Sequence, residues 1–221
     1  MNIILFGPPG AGKGTQADNI VKNFNLYKIS TGDLLRNEME QKTELGLKIK
    51  SKMDQGMLVS DDIMTDLIAK ILSKKKSEEG IIFDGYPRNL NQAKFLDILI
   101  KKHKRRITCV LSLNVDKEIL KKRILGRIIC TNCGMTFNKY FNPPKEKNHD
   151  CGLNYLKSRS DDTENTINSR IEIYTNQTLP LLDYYEYQKI LHKIDATREI
   201  NKIYEEIRGI ITSLDTWLYK L

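Results

Sequence analysis

Gly7-Pro8-Pro9-Gly10-Ala11-Gly12-Lys13-Gly14-Thr15 stands between a short apolar run, Ile3-Ile4-Leu5-Phe6, and a stretch of helical period in which Ala17, Ile20, Val21 and Phe24 recur. The apolar run is that of a strand covered on both faces, so strand, glycine-rich turn and helix follow one another. That is the setting of a phosphate-binding loop. Its glycines let the backbone wrap an anion closely, the helix N-terminus supplies free N–H groups and positive dipole, and Lys13 can reach β and γ oxygens. Gly14 occupies the place after the lysine where Ser or Thr is usual, and the hydroxyl comes one residue later, at Thr15.

Outward from this loop, apolar runs recur at Ile81-Ile82-Phe83, from Cys109 to Leu113 and from Ile190 to Ile194. Helical periods lie between and after them: Ile63, Met64, Leu67, Ile68, Ile71 and Leu72, then Ile200, Ile203, Ile207, Ile210 and Ile211. Alternation of strand and helix predicts a doubly wound α/β fold. Two stretches interrupt it, a polar helical one over 30–59 and one over 127–160 that is rich in Asn, Lys, Pro and Gly and holds three of the four cysteines. They read as insertions in a core of 1–29, 60–126 and 161–221, since long irregular segments in a compact domain are usually functional.

The chain has 221 residues, 40% of them hydrophobic, enough to bury a core. Lys and Arg exceed Asp and Glu by 36 to 28, so an anionic partner is expected, and charge alone does not choose among nucleic acid, phosphorylated metabolites and acidic membrane surfaces. No apolar run approaches a membrane span, and the first residues lack the basic region and cleavage site of a signal peptide, so the cytoplasm is the expected location. Lys101-Lys102-His103-Lys104-Arg105-Arg106 reads as a solvated helix end before the next strand rather than a nucleic-acid patch.

Several arginines have positions that suggest phosphate. Ser30 and Asp33 have capping-box spacing, which predicts a helix there with Arg36 one turn in. Arg88 follows the strand end that carries Asp84, where ligands of open α/β sheets bind. Arg123 and Arg127 are four apart on a helix expected to begin at Asp116, and so are expected on one face. Arg159 precedes an expected helix start at Asp161 and Asp162, with Arg170 on that helix. Guanidinium forks suit phosphate geometry better than ammonium groups do.

With its G-x-P-G-x-G-K-G-T loop the sequence resembles the nucleoside monophosphate kinases. Ser30-Thr31-Gly32-Asp33-Leu34-Leu35-Arg36, Gly56-Met57-Leu58-Val59, Phe83-Asp84-Gly85-Tyr86-Pro87-Arg88 with Gln92, Gly126-Arg127, Phe141-Asn142-Pro143-Pro144-Lys145 and Arg159-Ser160-Asp161-Asp162 are similar to adenylate kinase, nearly end to end. The resemblance implies a P-loop kinase core with a five-stranded parallel sheet, an AMP-binding insertion at 30–59 and a lid at 127–160. It implies reversible transfer between ATP and AMP, giving two ADP, by a monomer that needs neither nucleic acid nor membrane. Gly10, Ala11, Gly12, Lys13, Gly14, Thr15, Arg123, Arg127, Thr136, Phe137 and Arg198 would hold ATP, with Arg123 against the adenine face. Thr31, Arg36, Met57, Leu58, Val59, Gly85, Tyr86, Pro87, Arg88 and Gln92 would hold AMP, with Gln92 reading the adenine edge, and Arg159 and Arg170 would span the transferring group. Asp84, helped by Asp33, would orient waters on Mg²⁺. The second arginine that many relatives carry after the Gly-Arg pair is Ile128 here. Phosphoryl transfer needs positioning and neutralisation more than covalent chemistry, so no general base is assigned, and the catalytic set is Lys13, Arg36, Arg88, Arg123, Arg127, Arg159 and Arg170. Thr31, Gln92 and the long lid favour AMP over UMP, CMP or GMP. A zinc-knuckle nucleic-acid binder with an ATPase loop would leave Arg88, Arg159 and Arg170 without a role.

Cys130-Thr131-Asn132-Cys133 is a C-x-x-C knuckle, and Cys151 follows at zinc-ribbon distance. The second knuckle is incomplete. Asn148 and Asn154 are poor ligands, so the fourth group is His149, Asp150 or solvent, with imidazole preferred as the commoner zinc ligand. A metal-free lid with free thiols is the competing expectation, and iron or cobalt would suit the same thiolates. The resemblance implies a structural zinc. Cys109, in a buried strand pattern, is expected to be inert packing. The end from Leu214 to Leu221, with Trp217 and Tyr219, is expected to lie on the core as a tail.

Overall fold

A computed structural model describes residues 1–41, 43–74, 80–145 and 149–218. The core alternates strand and helix: β1 (Asn2–Phe6), α1 (Lys13–Phe24), β2 (Tyr27–Ser30), α2 (Thr31–Glu40), α3 (Glu44–Asp54), α4 (Asp61–Lys74), β3 (Ile81–Asp84), α5 (Leu90–Lys102), β4 (Cys109–Asn114) and α6 (Lys117–Leu125). Then come β5 (Arg127–Cys130), β6 (Thr136–Asn138), β7 (Leu156–Lys157), α7 (Glu164–Ile173), α8 (Leu181–Tyr187), β8 (Leu191–Asp195) and α9 (Ile200–Leu218). Five strands form one parallel sheet in the order β2-β3-β1-β4-β8, the expected α/β architecture. A second sheet, antiparallel and three-stranded, has the order β6-β5-β7 and comes wholly from 127–160.

Strand periodicity divides the core in two. Ile4 and Phe6 of β1 face a layer with Ile68, Leu72, Leu96 and Tyr185, whereas Ile3 and Leu5 face a layer with Ala17, Ile20, Ile203 and Ile207. Both faces are therefore covered by helices, which is why β1 reads as an uninterrupted apolar run. The strand β2 carries no such run. It is a half-exposed edge strand, Tyr-Lys-Ile-Ser, in which Ile29 is the buried residue, and the apolar-run criterion passes over it.

Registry places the chemistry. Leu5 pairs with Asp84, and Asp84 with Ser30, so the segments leaving β1, β2 and β3 emerge side by side at the carboxyl edge of the sheet. Two helix expectations need correction. Arg127 is not on α6: the helix ends at Leu125 with Gly126 as its C-cap, and Arg127 opens β5, so it does not share a helical face with Arg123. The helix expected at Asp161 and Asp162 begins at Glu164 instead, where Thr163 and Thr166 cap each other's backbone N–H groups and leave both aspartates free to pair elsewhere. The basic run after α5 is not uniformly solvated, because Arg105 is buried and donates to Asn2 Oδ1 at 3.4 Å. Asn148, Tyr219 and the side chain of Trp217 lie outside the described residues.

Candidate active site

The loop after β1 turns on glycines at positive φ, Gly10 at 81° and Gly12 at 94°, the latter the left-handed cap from which α1 starts. A Cβ on Gly10 would stand 2.7 Å from Ile124 Cγ1, so α6 presses directly on the loop and only glycine fits. Lys13 Nζ donates to Gly7 O at 2.7 Å and Pro8 O at 3.0 Å, which holds the ammonium across the loop. Burial lowers its pKa to about 8, opposed by Asp84 and reinforced by Arg88, Arg170 and Arg127.

Beside this loop, Ser30 caps α2 by accepting from Asp33 N–H at 3.3 Å, and Asp33 then pairs with Arg36 at 2.5 Å. Burial would raise the Asp33 pKa, yet hydrogen bonds from Arg36 and Ser30, with the Arg36 charge, keep it below the usual carboxylate value. Thr31 donates to Gly85 O at 2.9 Å, and a Cβ on Gly85 would come within 2.6 Å of that hydroxyl. Arg88 Nε donates to the same carbonyl at 2.8 Å, which anchors the guanidinium, and Arg88 O accepts from Thr178 at 2.7 Å, which fixes the backbone that carries it. Gln92 is buried and accepts from Arg88 N–H at 2.8 Å.

Positive charge is gathered here beyond what the local carboxylates neutralise. Burial lowers Arg88 to about 10, with Arg170 adding to the effect, and lowers Arg159 to about 9, with Arg127 and Arg36 adding to it. Arg170 is lowered in the same sense by burial, Asp161 opposing. Arg159 Nε is buried with no hydrogen-bond partner. Arg127 engages both oxygens of Asp162, Nε at 2.7 Å, and Arg170 reaches Asp161 Oδ2 at 3.0 Å and Asp162 Oδ1 at 3.3 Å. Guanidinium groups that lose solvation beside their own kind are poised to hold an anion.

These groups line one cleft of about 730 Å³ between the carboxyl edge of the parallel sheet, α2 and the small sheet. All seven expected catalytic residues and both Asp33 and Asp84 line it. So do Gly10 to Thr15, Thr31, Met57 to Val59, Gly85, Tyr86, Gln92, Thr136 and Phe137. Two expected nucleotide contacts do not. Pro87 is off the wall, and Arg198 is exposed, its guanidinium taken by Glu206 of α9 and, at 3.1 Å, by Asp195 O. Arg123 donates to Ala196 O at 2.8 Å and lies 5.5 Å from the Phe141 ring centroid. Phe141 carries no assigned role in the sequence reading, and Asp161 and Asp162 are expected there only as a helix start. Their role as arginine partners has no local signal, since Asp162 and Arg127 are 35 residues apart.

At the far end of the small sheet, Cys130, Cys133, Cys151 and His149 bring their ligand atoms within 4.8 Å of one another. The group that gathers with the three thiols is His149, and Asp150 is not part of the cluster. His149 is buried against the Phe137 ring, 5.1 Å between centroids, with its Nε2 lacking a hydrogen-bond partner. Cys133 N–H points at Cys130 Sγ at 3.5 Å, the backbone-to-sulfur contact of a metal knuckle. Burial would raise the Cys130 pKa, but hydrogen bonds from Cys133, His149 and Asn132 outweigh it and bring it to about 6, a thiolate at neutral pH. Tetrahedral zinc holds its ligands about 3.8 Å apart, so three thiols and an imidazole in this arrangement fit it. Cys109, by contrast, is fully buried and pushed up to about 12.

Residues 5–190 match the family model described as Adenylate kinase. Among curated proteins, one named adenylate kinase from Clostridioides difficile is 45% identical over 214 residues, covering 96% of this chain and 99% of its own. Another of that name from Pelagibacter ubique is 44% identical over 211 residues, covering 96% and 99%. A third, from Limosilactobacillus reuteri, is 40% identical over 217 residues, covering 97% and 100%.

Proposed function

The chain belongs to the adenylate kinase family and is an ATP:AMP phosphotransferase, ATP + AMP = 2 ADP; from that premise we propose how its residues carry the reaction. The observation that supports the assignment is the crowd of Lys13, Arg36, Arg88, Arg123, Arg127, Arg159 and Arg170 on one cleft wall, with mutual repulsion that two nucleotides would relieve. Gly10 to Thr15 cradle the ATP phosphates, and Arg123 lies against its adenine face. Thr31, Arg36, the 57–59 backbone, Gly85, Arg88 and Gln92 hold AMP. Arg88, Arg159 and Arg170 then meet the moving phosphoryl group from several directions, which orients attack in line and neutralises charge as it shifts between equatorial oxygens.

Adenylate kinases use Mg²⁺ with ATP, and the oxygen donors here suit it. The Asp84 carboxylate reaches toward the loop, its Oδ2 3.7 Å from where a Gly14 Cβ would stand, and Asp33 lies across the same cleft. Asp84 would hold the ion through water, with Asp33 as helper. Bound there, the ion would supply neutralisation of the phosphate charge. Cys130, Cys133, Cys151 and His149 would hold a structural zinc that stiffens the small sheet.

Water must be kept out, or ATP would be hydrolysed. Residues 127–160 act as a lid over ATP and 30–59 as a flap over AMP, moving on the core of 1–29, 60–126 and 161–221. The enzyme works as a cytoplasmic monomer. Its basic surplus serves the cleft, and no described helix is long and apolar enough to cross a membrane. ATP turnover measured with AMP, UMP, GMP or single-stranded DNA tests the reading: stimulation by AMP alone is expected, and equal stimulation by UMP or by DNA would overturn it.

A further inference from the structure

Asp61, the first residue of α4, stands behind Gln92 rather than on the cleft wall. Its Oδ1 accepts from Gln92 Nε2 at 2.7 Å and from Asn89 Nδ2 at 2.9 Å. On the other side of the same amide, Gln92 Oε1 accepts from Arg88 N–H at 2.8 Å. Both partners are chemically one-way: a carboxylate only accepts, and a backbone N–H only donates. The Gln92 amide therefore has one allowed orientation, with one N–H and one oxygen lone pair left over. Gln92 itself is held by the N-cap, its own N–H donating to Asn89 Oδ1 at 2.9 Å.

We propose that Asp61 is a specificity-determining positioning residue, which selects adenine over 6-oxopurines by fixing the Gln92 amide so that Nε2 donates and Oε1 accepts. The inference rests on Gln92 reading the acceptor base. Adenine offers an acceptor at N1 beside a donor at N6, the complement of the fixed amide. Guanine and hypoxanthine offer a donor at N1 beside an acceptor at O6, so each of their groups would meet its own kind, and the unpaired buried groups reject them. A freely rotating amide would accept either edge by turning over. Cytosine repeats the adenine pattern, so the lock excludes guanine, hypoxanthine and uracil by hydrogen bonding and does nothing against cytosine.

IMP is the sharpest probe, since it differs from AMP only in this edge. In steady-state assays, Asp61→Ala should raise the KM for AMP about tenfold with kcat little changed, and narrow the preference for AMP over IMP about tenfold. The preference over CMP should stay where it was. Asp61→Asn, which keeps an acceptor and the helix start, should recover most of the preference. In a Gln92→Ala background, Asp61→Ala should add nothing to either change, because it acts through that side chain. The proposal is overturned if Asp61→Ala leaves the AMP:IMP preference intact while Gln92→Ala destroys it, or if its effect persists without Gln92. If Gln92→Ala itself leaves the preference intact, the adenine reading beneath the proposal is the part that fails.

Discussion

The parallel sheet and the small antiparallel sheet hold themselves together by different means. In the first, the central strands are pressed between helices, and side chains such as Phe83, Ile68 and Ile207 are fully buried in two apolar layers. In the second, the buried residues are Cys130, Phe137 and His149, while Met135, Tyr140, Phe141 and Leu153 remain largely exposed. Three strands of four, three and two residues cannot bury enough apolar surface to stand alone. Three thiols and an imidazole cluster there, and the structural zinc proposed for them would take the place of a core. As the proposed lid, this region would need little attachment to the rest, and stability drawn from a local cross-link rather than a shared core would provide that.

The largest expected effect tests whether the large sheet does more than support. Arg88→Ala should lower kcat by about 10³-fold or more in a coupled ADP assay, with thermal unfolding nearly unchanged, as for removal of an arginine that meets the transferring phosphoryl. Near-normal turnover would take Arg88 out of the mechanism. Next, Phe83→Ala should cost about 3–5 kcal/mol of global stability in denaturant titration, since its side chain is wholly enclosed. Cys130→Ser, or a chelator, should act on the other region alone. Bound zinc should fall from about one equivalent to near zero, and amide exchange should quicken across 127–160 while the parallel sheet stays protected. Zinc content below about half an equivalent in protein purified without added metal would instead favour a lid of free thiols.

The smallest effect concerns Lys13. With its pKa lowered to about 8 by burial in the cleft, the ammonium is partly deprotonated at pH 8.5, and polyphosphate binding should return it to the charged form. Calorimetry in two buffers without added magnesium should therefore show uptake of up to about one proton on ATP binding at pH 8.5 and a smaller uptake at pH 7.5, both above the range in which the ATP terminal phosphate itself titrates. The sign for folding is opposite to that of a salt-bridged lysine: between about 8 and 10.5 the unfolded chain binds the extra proton, so this group's contribution makes the empty protein more stable as pH rises. Proton release on binding would contradict the assignment.

Much of the site is legible because its signals are local. The glycine loop, the Ser30 cap, Asp84 at a strand end and the C-x-x-C knuckle each occupy a few consecutive residues, and local sterics and hydrogen bonding act over that range. Where the reading from sequence fails, the competing interaction is also nameable. Gly126 ends α6 one residue before Arg127, and Thr163 outcompetes the two aspartates as a cap because a hydroxyl pair can satisfy two N–H groups at once. Glu206, one helix face away, takes Arg198. Edge strand β2 lacks the double burial that makes the other strands readable.

Sequence by itself determined the α/β class, the phosphate loop, the arginine inventory and the three cysteines of the small-sheet cluster, all properties of composition and short spacing. Tertiary structure alone decided that His149 rather than Asp150 completes the thiol cluster, that Asp161 and Asp162 hold Arg127 and Arg170, and that Asp61 orients Gln92 from 31 residues away. The longest of those pairings join charged or polar groups far apart in the chain, 35 residues for Arg127 with Asp162 and 31 for Asp61 with Gln92. Which partner a buried polar group finds depends on the path the backbone takes between them, and that path is set by strand order and helix packing rather than by either residue.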